Sequence, residues 1–249
     1  MQIRVITLKG TSKLIDTLQT LFPRADVGTQ RGINVSGVSS DLLFQNDMIT
    51  HSVDHTLRNG RKWHHEIPSK GAIGVAQANR LALQEDLTQP LLLLEEDCII
   101  KYPERFKKEV LYLLTHMEKF DMAVFGCLYQ GKAPLGDAEW LPPGFKILKD
   151  KFWLLHSVLY TPSGRVAVSA LLHRPLEMQI DSLYGAEASK NRLRVLGQLK
   201  GASTRQSLHV STIQNSPIGY VPIVFFALAL CVLIARSTRR STRRSYSLH

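Results

Sequence analysis

Apolar residues recur along the chain at two spacings. Ile3 to Leu8 (IRVITL) is a short β-favouring run closed by Lys9-Gly10. Leu14, Ile15, Leu18, Leu21 and Phe22 then follow at helical spacing. This pattern predicts a strand, a glycine turn and a helix, with the strand central in a sheet. Gly28 to Asn59 is polar and broken, and reads as a loop-rich connection with at most one strand, Gly32 to Gly37. Ile73, Ala76, Gln77, Arg80, Leu81 and Leu83 fit a helix that begins near Gly71 and ends before Pro90.

Pro90 opens LLLLEEDCII, four leucines that end abruptly in three carboxylates. The pattern predicts a buried strand whose C-terminal end emerges into a polar site. An amphipathic helix is expected from Pro103 to Met117 (Phe106, Val110, Leu113, Leu114), with Pro103 in its first turn. A strand at Met122–Leu128, a loop at Gln130–Lys151, a strand at Phe152–Tyr160, a turn at Thr161–Gly164 and a helix at Arg165–Leu172 complete the pattern. Strands alternating with helices predict an α/β domain whose sheet is mainly parallel and covered on both faces. There are no internal repeats, and Asn191 to Ser216 is a polar stretch that reads partly as a linker.

Glu95-Glu96-Asp97 is the main chemical signal. Alternation along a strand end puts Glu95 and Asp97 on one side and Glu96 on the other. Open α/β sheets bind ligands at the carboxyl ends of their strands, where this cluster would lie. Two carboxylates on one side suit a hard divalent cation, which would neutralise a diphosphate leaving group. The competing reading is an acidic turn exposed to solvent. Paired acids also serve glycoside hydrolysis, but adjacent residues are poorly placed to flank one bond. His156 falls in an apolar strand pattern, where it either completes a metal shell or is a satisfied core residue. Trp63-His64-His65-Glu66 reads as a loop, because neighbouring histidines on a strand would point apart.

Composition adds limits. The chain of 249 residues is 44% apolar and 21% charged, enough for one α/β domain with a core and unlike a disordered chain. The net charge of +10 is concentrated: Arg236, Arg239, Arg240, Arg243 and Arg244 lie near the end, and no acid follows Glu187. The remainder is mildly basic, with no basic stripe carrying interleaved aromatics, so no nucleic-acid partner is expected. Cys98, Cys127 and Cys231 lack metal-ligand spacing and read as buried thiols in a reducing compartment.

Ile218 to Ala235 (IGYVPIVFFALALCVLIA) contains no charged residue, with Tyr220 and Arg236 at its borders. That length and composition predict a transmembrane helix. The expected organisation is a domain at 1–200, a linker at 201–217, a membrane helix at 218–235 and a basic tail at 236–249. The N-terminal apolar run is too short for a signal peptide, which argues for a cytosolic domain. The arginine tail instead argues for a cytosolic C-terminus, and the orientation stays open.

These motifs, in this order, resemble glycosyltransferase family 25, which includes bacterial lipopolysaccharide and collagen galactosyltransferases. IRVITL is similar to its opening strand, and GAIGVAQANRLALQ (71–84) to its GEIG and Ser-His block. LLLLEEDCII is similar to the strand closing in Glu-Asp-Asp, and FDMAVFG (120–126) to the strand after the next helix. HSVLYTPSGRVAVSALL (156–172) and QIDSLYG (179–185) are similar to its last two blocks. The resemblance implies a GT-A-like single domain that uses a UDP-sugar with Mn²⁺ or Mg²⁺. It implies hexosyl transfer, of galactose or glucose, to a glycan, lipid-linked or protein acceptor. Asp97 would ligate the metal with Glu95, and His156 is a further candidate ligand. Asp181 would be the general base, or else a helix N-cap. Gly71, Gly74, Asn79 and Glu96 would lie at the donor. The chain departs from the family pattern at Ala72, Ala78-Asn79 and Glu96. Two readings therefore stand, an active transferase and a catalytically degenerate, membrane-tethered binding protein.

Overall fold

The computed structural model describes residues 1–63 and 65–207. In chain order the elements are β1 (Gln2–Thr7), α1 (Leu14–Leu21), β2 (Asp26–Arg31), α2 (Ser40–Gln45), α3 (His51–Asn59), α4 (Lys70–Gln84), β3 (Leu91–Glu95) and β4 (Cys98–Ile100). They continue with α5 (Pro103–Leu114), β5 (Met122–Val124), β6 (Leu128–Tyr129), β7 (Phe145–Leu148), β8 (Phe152–Trp153) and β9 (Ser157–Tyr160). The last are α6 (Pro162–Leu172), α7 (Ile180–Ser189), β10 (Val195–Gln198) and β11 (Thr204–Gln206).

Seven strands form one sheet in the order β2-β1-β3-β9-β5-β10-β7. Five of them share one direction, whereas β9 and β7 run against it. The sheet is therefore mainly parallel, with a reversed strand inserted beside β3. The four leucines of β3 alternate between two cores, which is why this strand is apolar throughout. Leu91 and Leu93 pack with Ile73, Val158, Tyr160, Val168 and Tyr184. Leu92 and Leu94 join Ile3, Val5, Leu18, Phe106 and Leu159 on the other face. A side chain at Glu95 continues the first face and one at Glu96 the second.

Helix α6 begins within the segment expected to be a turn. Thr161 caps it by accepting from the Gly164 N–H at 3.0 Å, and Pro162 occupies the first turn. Gly164 allows the close approach of α6 to the sheet, since a Cβ there would stand 1.8 Å from the Asp121 carbonyl oxygen. The next residue, Arg165, is fully buried. Its guanidinium donates to the carbonyls of Ala82 (3.2 Å), Leu83 (3.0 Å) and Gln89 (2.9 Å), and to Gln2 Oε1 (2.7 Å). It thus satisfies the open C-terminal end of α4.

Other expectations are corrected by tertiary pairing. The 28–59 region holds most of β2, α2 and α3, while Gly32–Gly37 is not a strand. The segment 152–160 is two strands, because Leu154 takes a left-handed conformation (φ 77°) between them. Segments read as loop or linker supply β7, β10 and β11.

The expectation of a single-pass membrane protein is also corrected. No helix among the described residues is long and apolar enough to cross a membrane. The longest, α4, has 15 residues and would span only about 22 Å at 1.5 Å per residue. The segment 218–235, with the basic tail and Cys231, lies outside the described residues.

Candidate functional site

The acidic triplet lies where the leucine strand ends. Glu95 is its last residue, its N–H bonded to the His156 carbonyl at 3.0 Å, and the Glu96 N–H reaches the Ile6 carbonyl at 3.0 Å. The three acids therefore sit at the carboxyl edge of β3, beside the end of β1.

Asp181 joins them from the far part of the chain. It lies in the first turn of α7, whose N-cap is Gln179, so it is not itself the cap. Its Oδ1 accepts from the Ser182 N–H at 2.8 Å. The start of α7 is braced by the 62–66 turn. Glu66 Oε2 accepts from the Lys62 and Trp63 N–H groups at 2.5 and 2.8 Å. The Gln179 N–H and Nε2 then bond the His65 and Glu66 carbonyls at 3.0 and 3.1 Å. Trp63, His65 and Glu66 thus belong to a structural turn; His64 lies outside the described residues.

Burial and mutual repulsion govern the acids. Burial, reinforced by Asp97 and then Asp181, pushes the Glu95 carboxyl up to about 8. Burial likewise lifts Asp181 to about 7, against the opposing backbone N–H bond from Ser182. Beneath them lie two buried phenols. The Tyr160 and Tyr184 oxygens feel each other, and also Glu95 and Asp181 respectively, and burial pushes both far above the ordinary tyrosine range. Neither phenol oxygen makes an aligned hydrogen bond among the described residues, and neither does Ser182 Oγ. Among the described residues, no basic group contributes to the shift of Glu95 or Asp181.

Asp97 is held by the end of the described chain. Its Oδ2 accepts from Gln206 Nε2 at 3.0 Å, and its carbonyl from the Ser207 N–H at 2.8 Å. These contacts extend the antiparallel pairing of β11 with β4, which is anchored by the buried Ser203 and Thr204.

Not every expected residue converges here. His156 is buried, its Nε2 pairs with Thr204 Oγ1 at 3.1 Å, and burial lowers it to about 4. Asn79 is buried on α4 and donates to the Val75 carbonyl at 2.9 Å. Gly71 lies in the first turn of α4. Gly74 has a packing explanation, because a Cβ there would stand 2.1 Å from the Ile33 carbonyl oxygen. Cys98 and Cys127 are free and buried, and burial raises both thiols, Cys127 to about 12.

Among the described residues no three His, Cys, Asp or Glu side chains are arranged to hold one metal ion. Glu95 and Asp97 nevertheless present hard oxygen donors close enough to repel each other. That chemistry fits Mg²⁺ or Mn²⁺, which take one or two protein carboxylates and complete their shells with water and substrate phosphate.

A second feature borders this edge. A cleft of about 730 Å³ opens at the loop after β1, lined by Lys9, Gly10, Thr11, Ser12, Lys13 and Thr29 among others. Two lysines against one acid, Asp16, with hydroxyls and a glycine with φ 76°, leave its lining net positive and suited to an anionic ligand. The signal was visible as the Lys9-Gly10 turn, whereas Tyr160, Tyr184 and Gln206 carried none that local pattern could expose.

No protein-family model matches the chain. No curated protein matches it either. Among solved structures the chain is similar in fold to A197 from STIV, at 13% identity over 82% of each chain and a TM-score of 0.39. It is also similar to UDP-glucose pyrophosphorylase complexed with UDP-glucose, at 11% identity over 89% of this chain and 96% of that one, with a TM-score of 0.42. A third is mannose-1-phosphate geranyltransferase from Thermus thermophilus, at 12% identity over 82% and 75% of the two chains and a TM-score of 0.40. Likeness this distant does not extend to substrate or reaction.

Proposed function

We propose that the chain is a nucleotide-sugar-dependent glycosyltransferase of the family 25 kind, transferring a hexose to a hydroxyl of a glycan, lipid-linked or protein acceptor. The observation that carries this reading is the convergence of Glu95, Asp97 and Asp181, in which burial raises Glu95 and Asp181 and both neighbouring acids raise Glu95 further. Burying acids beside one another costs stability, which is expected where charge is reserved for a ligand.

In this reading the anionic half of a UDP-sugar lies toward Lys9 and Lys13. Glu95 and Asp97 would hold Mn²⁺ or Mg²⁺, which when bound neutralises the diphosphate. Asp181 takes the proton of the acceptor hydroxyl as its oxygen attacks the anomeric carbon. The bond from that carbon to the diphosphate breaks, UDP departs with the electron pair, and the configuration inverts. An acid poised near neutrality is matched to that work.

The test is UDP release from UDP-galactose and UDP-glucose, with and without Mn²⁺, by the wild type and Asp97→Asn. Metal-dependent release that the substitution abolishes is the expected result. Undiminished turnover by Asp97→Asn sinks the assignment. Binding of UDP without turnover on any acceptor makes the chain a degenerate binding protein instead.

A further inference from the structure

Glu96 has a different environment from its two acidic neighbours. It is exposed on the opposite side of the strand end, where its Oε2 accepts from the Thr7 hydroxyl. Thr7 is 1% exposed, the last residue of β1. Its Oγ1 also accepts the Lys9 N–H at 3.2 Å and stands 3.3 Å from the Thr11 carbonyl. A hydroxyl has one proton to give, and a carboxylate is the stronger acceptor. With Glu96 taking that proton, the Thr7 oxygen is turned to receive Lys9, the first residue lining the cleft. One buried hydroxyl thereby joins the acidic strand end to the basic loop.

We propose that Glu96 is a positioning residue for the loop after β1, fixing Lys9 to Thr11 through Thr7, and so sets how tightly the donor's phosphates are held. The geometric part stands on these contacts alone; the ligand rests on the nucleotide-sugar reading above. Glu95 lies near Asp97 and Asp181, whereas Glu96, in the turn that follows β3, bonds Thr7 on the side of the binding loop.

Two measurements test this on the full chain. Hydrogen exchange is followed in a peptide spanning residues 8–13 for the wild type, Glu96→Ala, Glu96→Gln and Thr7→Val. The alanine and valine variants are expected to exchange faster there, while the glutamine variant, whose side-chain oxygen still accepts, stays close to the wild type. UDP titrations with Mn²⁺ are expected to show affinity falling by about tenfold in Glu96→Ala, the loss of one charge-assisted hydrogen bond, with donor KM rising more than kcat falls. Unchanged loop exchange in both Glu96→Ala and Thr7→Val overturns the positioning role, whether or not UDP binds. Faster exchange in a protein whose wild type binds no UDP upholds the positioning and sinks the donor reading instead.

Discussion

Gln206 donates its Nε2–H to Asp97 Oδ2 at 3.0 Å, across 109 residues of chain. The strand that carries it, β11, is zipped onto β4, so the orientation of the acid depends on a segment far from it in sequence. Replacing Gln206 by Leu removes the donor and keeps the bulk. The Mn²⁺ concentration needed for half-maximal UDP release is expected to rise by about tenfold, as for other groups that orient a metal ligand. Thermal unfolding should move little. A variant with unaltered Mn²⁺ dependence would leave Gln206 a purely structural residue.

Glu95 makes a prediction about stability. Folding raises its proton affinity from 4.5 to about 8. Between those values the folded chain holds more protons than the unfolded one, so stability falls as pH rises through the window. Glu95→Gln should therefore stabilise the protein at pH 8, by on the order of 1–3 kcal/mol, and give no gain near pH 4. Urea unfolding at the two pH values decides it. Equal effects at both would show that the charge is not what burial penalises.

Asp181 predicts the pH profile of transfer. It acts only when deprotonated, and burial places its ionisation near 7. With saturating metal, kcat/KM should climb about tenfold per pH unit below that point and level off above it. Asp181→Asn should lower the rate by at least about 100-fold and erase this limb. Because Asp181 also contributes to the Glu95 shift, the apparent ionisation belongs to the pair. A flat wild-type profile between pH 5.5 and 8 would remove Asp181 from the role of base.

Arg165 makes a prediction independent of function. Four oxygens, at Ala82, Leu83, Gln89 and Gln2, receive its guanidinium in the interior. Arg165→Met fills similar volume but leaves these acceptors dry, a loss of about 2–4 kcal/mol. Arg165→Lys should recover only part, since one ammonium cannot address all four directions. A loss below about 0.5 kcal/mol for the methionine variant would contradict the capping account.

Local sequence sufficed for elements whose signal is their own burial. β1, α1, α4, α5 and the leucine strand β3 were legible because a core strand or helix must be apolar on its buried faces, whatever it packs against. The expected division of the acids rested on strand alternation, but β3 ends at Glu95, and Glu96 and Asp97 take their sides from the turn that follows it. Only the tertiary structure decided the rest. The strands β7, β10 and β11 have polar or mixed sequences and form because a neighbouring edge offers unpaired N–H and C=O groups. The expected strand at 152–160 breaks at Leu154, and the turn at Thr161 proves to be the capped start of α6. Asp181 meets Glu95 through the packing of α7, and Gln206 meets Asp97 through the pairing of β11 with β4, each joining segments distant in sequence. A side chain's chemistry is written in its residue type, but the company that shifts its proton affinity is set by chain crossings that no local period records.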